Sequence, residues 1–249
     1  IDRPNRFHLA EIFGTMVQAD LTSTDWAPPI GMKRRDGAPT VLIHVGASQK
    51  SKSINAVKWT TIINQFLKLF ENPSDLKIGL IGSQSEAAIA TQIMSSVPAG
   101  TLQNYVGQTE IRDLFELIGS AGLVVGADSA PMHMASLTAT PCLNLSLKSV
   151  NFWETGPRAP KSVILRGADE TDFPSDTVAQ AMKRILLNEK PELGSIVVQN
   201  GAPSYWCLEP RGQDFQWKLI KAIYLNEPFP LNNQPLFRDG ILKLDDINR

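Results

Sequence analysis

Leu123-Val124-Val125-Gly126-Ala127-Asp128-Ser129-Ala130-Pro131-Met132-His133-Met134-Ala135 is an apolar, β-branched run that ends in small and acidic residues where a helix begins. Pro131 suits the first turn of that helix, because the N–H it lacks has no partner there in any case. The remaining first-turn N–H groups and the positive end of the helix dipole then lie beside Asp128, Ser129 and His133. Such a corner holds phosphorylated ligands.

The same strand-then-helix pattern recurs on both sides of the junction. Val41-Leu42-Ile43-His44-Val45 reads as a strand ending at Gly46. A polar loop runs from it to about Asn55, before a helix whose stripe is Trp59, Ile62, Ile63, Phe66, Leu67 and Phe70, stopped by Asn72-Pro73. Leu76 to Ile81 is a second strand, and Ser83 and Glu86 stand at capping-box spacing before a helix through Ile89 and Ile93. Leu102 to Val106 is a weaker third strand, followed by a helix opening at Gln108-Thr109-Glu110 with Ile111, Leu114, Phe115 and Ile118 on one face. Beyond the junction come the strand Cys142 to Leu147, a polar loop from Lys148 to Lys161, the strand Ser162 to Leu165, and a helix capped by Ser175. Alternation this regular predicts an α/β fold: a Rossmann-like parallel sheet with helices on both faces. Ligands of such sheets sit at the carboxyl ends of the strands.

The flanks differ in character. Phe7, Leu9, Ile12, Phe13 and Met16 predict an amphipathic helix within residues 5–20 that needs a partner surface, and the proline-rich stretch 21–39 reads as a connector. From Lys190 onward the chain is rich in Pro, Asn and Gly, with one amphipathic helix predicted over Gln213 to Leu225.

With 24 Lys+Arg against 25 Asp+Glu, the net charge of −1 implies no general attraction to nucleic acid. Cys142 and Cys207 are far apart and lack metal-ligand spacing, so both read as free thiols, Cys142 in the core. No stretch approaches the roughly 20 apolar residues of a membrane helix.

Polar groups that follow strands are the candidates for chemistry. They are Gly46, Ala47, Ser48, Lys50 and Lys52 after the first strand, Ser83, Gln84 and Ser85 after the second, Gln108, Thr109 and Glu110 after the third, and Asp128, Ser129 and His133 at the junction. Singly, the hydroxyls are ordinary helix caps. Together at one sheet edge they suit a diphosphate flanked by a nucleoside and a second polar group. His133 reads equally well as a half-buried packing residue, Asp128 as a cap, and His44 as a core histidine. No nucleophile–base pair, metal cluster or Walker-type loop is visible.

Ile43-His44-Val45-Gly46-Ala47-Ser48, Lys58-Trp59, Gly82-Ser83-Gln84-Ser85-Glu86, Gly107-Gln108-Thr109-Glu110-Ile111 and Ala127-Asp128-Ser129-Ala130-Pro131-Met132-His133-Met134-Ala135 resemble, in order, the motifs of glycosyltransferase family 9, the lipopolysaccharide heptosyltransferases. The resemblance spans about residues 5–187 and implies the C-terminal half of a GT-B fold. It implies an inverting, metal-independent glycosyltransferase that moves a sugar from a nucleotide-diphosphate donor such as ADP-heptose to a cell-envelope glycan or glycolipid. No cofactor is implied, the donor being a substrate.

By position, Asp128, Ser129, Ala130 and His133 would line the diphosphate and sugar, Ala47 and Ser48 would approach the phosphates, and Gln84 and Thr109 would lie near the nucleoside. The family's usual Gly is here Ala130. Its Lys-x-Trp-Pro is here Lys58-Trp59-Thr60, so the phosphate-contacting lysine falls among Lys50, Lys52 and Lys58, with Lys58 taken by its place beside Trp59. The resemblance further implies that residues 1–39 are the end of a missing N-terminal domain plus a linker, 40–189 the nucleotide-sugar domain, and 190–249 a C-terminal extension. The missing domain would carry the acceptor site and a carboxylate base. It also implies a cytoplasmic place, with peripheral association at the inner membrane face. A non-catalytic nucleotide-sugar-binding or scaffold module and a sugar-nucleotide epimerase stay open as alternatives.

Overall fold

The computed structural model describes residues 9–19, 40–47, 49–150, 152–157, 162–189 and 204–208. Seven strands form one sheet in the order β3-β2-β1-β4-β5-β6-β7. They are β1 (Val41–His44), β2 (Ile78–Ile81), β3 (Leu102–Asn104), β4 (Leu123–Ala127), β5 (Cys142–Leu147), β6 (Ser162–Gly167) and β7 (Ser204–Leu208). The first six are parallel, and β7 runs antiparallel to β6 with Val163 opposite Cys207. The chain steps outward from β1 to β3, returns to lay β4 against the other side of β1, and steps outward again. The order therefore reverses between β1 and β4, the place where such sheets open a crevice.

Helices cover both faces, as the alternation predicts. On one side lie α2 (Ala56–Leu67), α3 (Ala87–Ser95) and α7 (Ser175–Leu186); on the other lie α4 (Ile111–Ser120) and α5 (Ala130–Leu137). Successive strand residues point to opposite faces. Val41 and Ile43 of β1 accordingly pack with Trp59, Ile62, Phe66, Val178 and Met182, whereas Leu42 joins Val124, Cys142, Ile118 and Met132. Cys142 is buried in that second cluster, as expected of a core thiol.

Several boundaries move for local reasons. The first long helix starts at Ala56, because Asn55 caps it with a side-chain oxygen that accepts from Lys58 N–H at 2.8 Å. Phe70 lies beyond its end and meets Phe66 edge-on, 5.1 Å between centroids. The capping box at Ser83 and Glu86 is present. Ser175 is the first residue of α7 rather than its cap; Pro174 holds the cap position without a side-chain bond.

Two elements fall where the sequence reading has none: the short helix α6 (Phe152–Thr155) inside the loop after β5, and β7. The N-terminal helix occupies Leu9–Met16 and leaves Phe13 and Met16 exposed. The connector over 21–39 and the helix predicted over Gln213 to Leu225 lie outside the described residues. No helix among the described residues is long and apolar enough to cross a membrane.

Candidate functional site

β1 and β4 end side by side, His44 opposite Gly126 in the ladder, and the loops that leave them face each other. After β1 the chain makes a short 3-10 turn at Lys50–Lys52, which carries the Lys52 ammonium to the end of β4. There Lys52 Nζ donates to Asp128 Oδ2 at 3.0 Å. Thr155 of α6 donates its hydroxyl to the other oxygen, Asp128 Oδ1, at 3.3 Å. Asp128 is only 7% exposed, so three loops are tied together at a carboxylate largely shielded from water.

Ser129 is the N-cap residue of α5, yet its side chain makes no capping bond. Its hydroxyl donates to Ala127 O at 3.0 Å and stands 2.9 Å from His44 Nδ1. His44, read from the sequence as a core histidine, in addition stands within bonding distance of a residue across the switch point. It is half-buried. Desolvation by burial lowers its pKa from 6.5 to about 4, against a smaller opposing pull from Glu86.

Gly126 makes the approach possible. A Cβ there would come to 3.0 Å from His44 Cβ and 3.2 Å from Met132 Cε.

The loops after β2 and β3 interlock on the far side of β1. Glu86 accepts from Ser83 N–H at 2.6 Å, from Ser83 Oγ at 2.6 Å and from Ser85 Oγ at 2.8 Å. Burial works against its charge, but these bonds and the neighbouring His44 outweigh it, and the carboxyl lies below its ordinary pKa. A Cβ on Gly46 would lie 2.6 Å from Glu86 Cδ, so the turn after β1 rests directly on that side chain.

Gly107 has φ +70°, bonds Gly82 O at 2.9 Å, and has the Gln84 side chain where a Cβ would stand. Gly107→Ala is expected to cost about 1–3 kcal/mol through the left-handed backbone alone and to push Gln84 aside. A thermal melt of the variant matching the wild type would show that this interlock is not formed.

Of the residues read from the sequence, Asp128 and Ser129 are brought together at the switch point. Ala130 and His133 sit on the first turns of α5, and both are exposed, which removes the reading of His133 as half-buried packing. Ala47 is half-buried beside Gly46, Gln84 is exposed above Gly107, and Thr109 is half-buried two residues further on. Ser48 lies outside the described residues. Lys58 is on the first turn of α2; among the described hydrogen bonds it is Lys52, not Lys58, that reaches Asp128. His44 and Thr155 are what position-by-position reading left out of the site, and Lys52, one of three candidate lysines there, is the one that the structure ties to Asp128. Among the described residues there is no group of three His, Cys, Asp or Glu side chains that could hold a metal ion.

The family model for glycosyltransferase family 9 (heptosyltransferase) matches residues 18–184. A search of curated proteins returned no match. Among solved structures, E. coli ADP-heptose lps heptosyltransferase II is similar, with a TM-score of 0.54, 18% identity, and coverage of 72% of this chain and 52% of that one. A glycosyltransferase family 9 structure from Veillonella parvula gives a TM-score of 0.54, 15% identity, and coverage of 62% and 48%. E. coli heptosyltransferase WaaC with ADP gives 0.52, 13%, and coverage of 64% and 46%. The chain thus spans about half the length of the solved relatives it matches, and identities this low speak for the fold alone.

Proposed function

The chain belongs to glycosyltransferase family 9, and on that premise we propose that it is the donor-binding half of an inverting, metal-independent glycosyltransferase. Its donor is a nucleotide-diphosphate sugar, ADP-heptose by analogy with the named relatives. The acceptor is a lipopolysaccharide or other cell-envelope glycan. A carboxylate base and the acceptor site come from an N-terminal domain facing this one, and the enzyme works at the cytoplasmic face of the inner membrane.

The observation that carries the reading is the meeting of Lys52, Asp128 and Ser129 at the β1–β4 switch point, in front of the N-terminus of α5. Placed there, the diphosphate has the α5 dipole and Ala130 N–H on one side and the Lys52 ammonium on the other. As the glycosidic bond to the donor breaks, negative charge builds on the departing diphosphate. Fixed positive groups stabilise that charge without reorganising. His133 and Ala47 complete the phosphate and sugar wall, and Gln84 and Thr109 flank the nucleoside. Lys52 replaces Lys58 as the phosphate-contacting lysine in this proposal.

Calorimetric titration of the 249-residue chain with ADP and with UDP tests the base. ADP is expected to bind more tightly, and a preference for UDP would overturn the adenine assignment. A donor-plus-acceptor assay on the same chain is expected to give no transfer, and turnover would place the base within this sequence. The second reading, a non-catalytic binding module, draws on one observation: both oxygens of Asp128 are already engaged. Joining the chain to a family N-terminal domain separates the two, since only the enzyme reading expects transfer to appear.

A further inference from the structure

The Ser129 hydroxyl has a single hydrogen and two neighbours within bonding distance, Ala127 O at 3.0 Å and His44 Nδ1 at 2.9 Å. With the hydroxyl donating to Ala127 O, the second contact is made with Nδ1 as the donor, the neutral imidazole tautomer that carries its hydrogen on Nδ1; this tautomer is part of the inference that follows. A Ser at an N-cap ordinarily turns its oxygen onto the first-turn N–H groups. Here two bonds hold it down on the sheet instead, and α5 carries no side-chain cap.

Pro131 supplies no N–H and Met132 N–H goes to Ser129 O at 3.0 Å, so Ala130 N–H has no bond among the described residues. The space in front of α5 that a capping oxygen would fill is left for a ligand.

We infer that His44 is a positioning residue of the donor site, which holds the Ser129 hydroxyl off the α5 N-terminus so that a ligand phosphate takes the place of the cap. Ser129, its hydrogen spent on Ala127 O, offers the ligand only a lone pair. It therefore receives a ligand hydroxyl and gives nothing to a phosphate oxygen. Gly126 is the permissive partner, because a Cβ there would meet His44 Cβ at 3.0 Å and one of the two would have to give by a few tenths of an ångström. The low basicity of His44 keeps the imidazole neutral, with one donor nitrogen, at physiological pH. This inference rests on the reading of the crevice as a diphosphate site.

The test uses inorganic pyrophosphate, an anion without nucleoside or sugar, titrated into the full chain and three variants. His44→Ala frees the Ser129 oxygen to cap α5, and pyrophosphate affinity is expected to fall about tenfold, the scale of one charge-assisted hydrogen bond. His44→Asn, whose amide N–H can replace Nδ1–H, recovers most of that loss. The double variant His44→Ala/Ser129→Ala also recovers it, because the competing oxygen is gone. A packing role for His44 predicts no recovery in the double variant, and that result overturns the inference.

Nitrogen-15 NMR of the histidine rings gives a second, ligand-free readout. An Nδ1–H signature for His44 supports the inference, and an Nε2–H signature overturns it while leaving the functional reading intact. Wild-type chain that binds neither pyrophosphate nor ADP at millimolar concentration overturns both.

Discussion

Lys52→Ala lowers the affinity of the chain for ADP about 10- to 100-fold, the loss expected for one ammonium–phosphate contact in a shielded crevice. The contact is identified by geometry rather than by motif. Of the two lysines after β1 whose side chains are described, Lys52 and Lys58, it is Lys52 that is drawn to the β4 end by a 3.0 Å bond to Asp128. Lys58→Ala should lose distinctly less, since no described hydrogen bond draws the Lys58 side chain to Asp128.

Asp128→Asn should weaken ADP binding through the same lysine, which loses the carboxylate that aims it. A double-mutant cycle reads the coupling directly. Lys52→Ala and Asp128→Asn are expected to combine to much less than the sum of their separate effects. Full additivity would mean that the pair seen in the free chain has no part in binding.

At pH 5 the chain is expected to be about 2 kcal/mol less stable than at pH 7 on account of His44 alone. The folded pKa is about 4 against an ordinary 6.5. Between those values the unfolded chain carries a proton on this residue that the folded chain excludes. Stability therefore rises with pH across the window. The contribution is complete above 6.5, is lost progressively as pH falls, and reaches at most about 3 kcal/mol. Glu86 acts in the same direction lower down, because its carboxyl is held below the ordinary value and its contribution disappears as it protonates.

Urea denaturation at half-unit pH steps checks this. His44→Gln, which cannot take up the proton, should flatten the limb between pH 7 and 5. An unchanged limb in that variant would assign the acid sensitivity to other groups.

The fold was legible because it is written in local patterns. The stripe Trp59, Ile62, Ile63 and Phe66 has helical spacing and is buried as one face, and the run Cys142 to Leu147 is a fully buried strand. The Ser83–Glu86 capping box forms because both its bonds close within four residues. What escaped depends on distant pairing.

β7 carries a β-favouring run, Ser204-Tyr205-Trp206-Cys207-Leu208, that was readable in principle. Its place is decided by β6, some forty residues away. α6 is a single turn in a loop and has no room for a periodic stripe.

The site divides in the same way. Asp128, Ser129 and His133 were found because they follow one strand. The lysine could not be chosen from sequence, since Lys50, Lys52 and Lys58 are all close to β1, and what singles out Lys52 is a contact 76 residues away. His44 was set aside because an apolar strand surrounds it, and its partner Ser129 lies 85 residues on.

Titration of ADP into the chain, followed by amide chemical shifts, tests the central claim most directly. Saturable one-to-one binding is predicted, with the largest shifts at Ala130, Met132, Lys52, Asp128 and Ser129 and smaller ones at Gln84 and Thr109. Absence of saturation at millimolar ADP, or shifts centred away from the β1–β4 switch point, would contradict it.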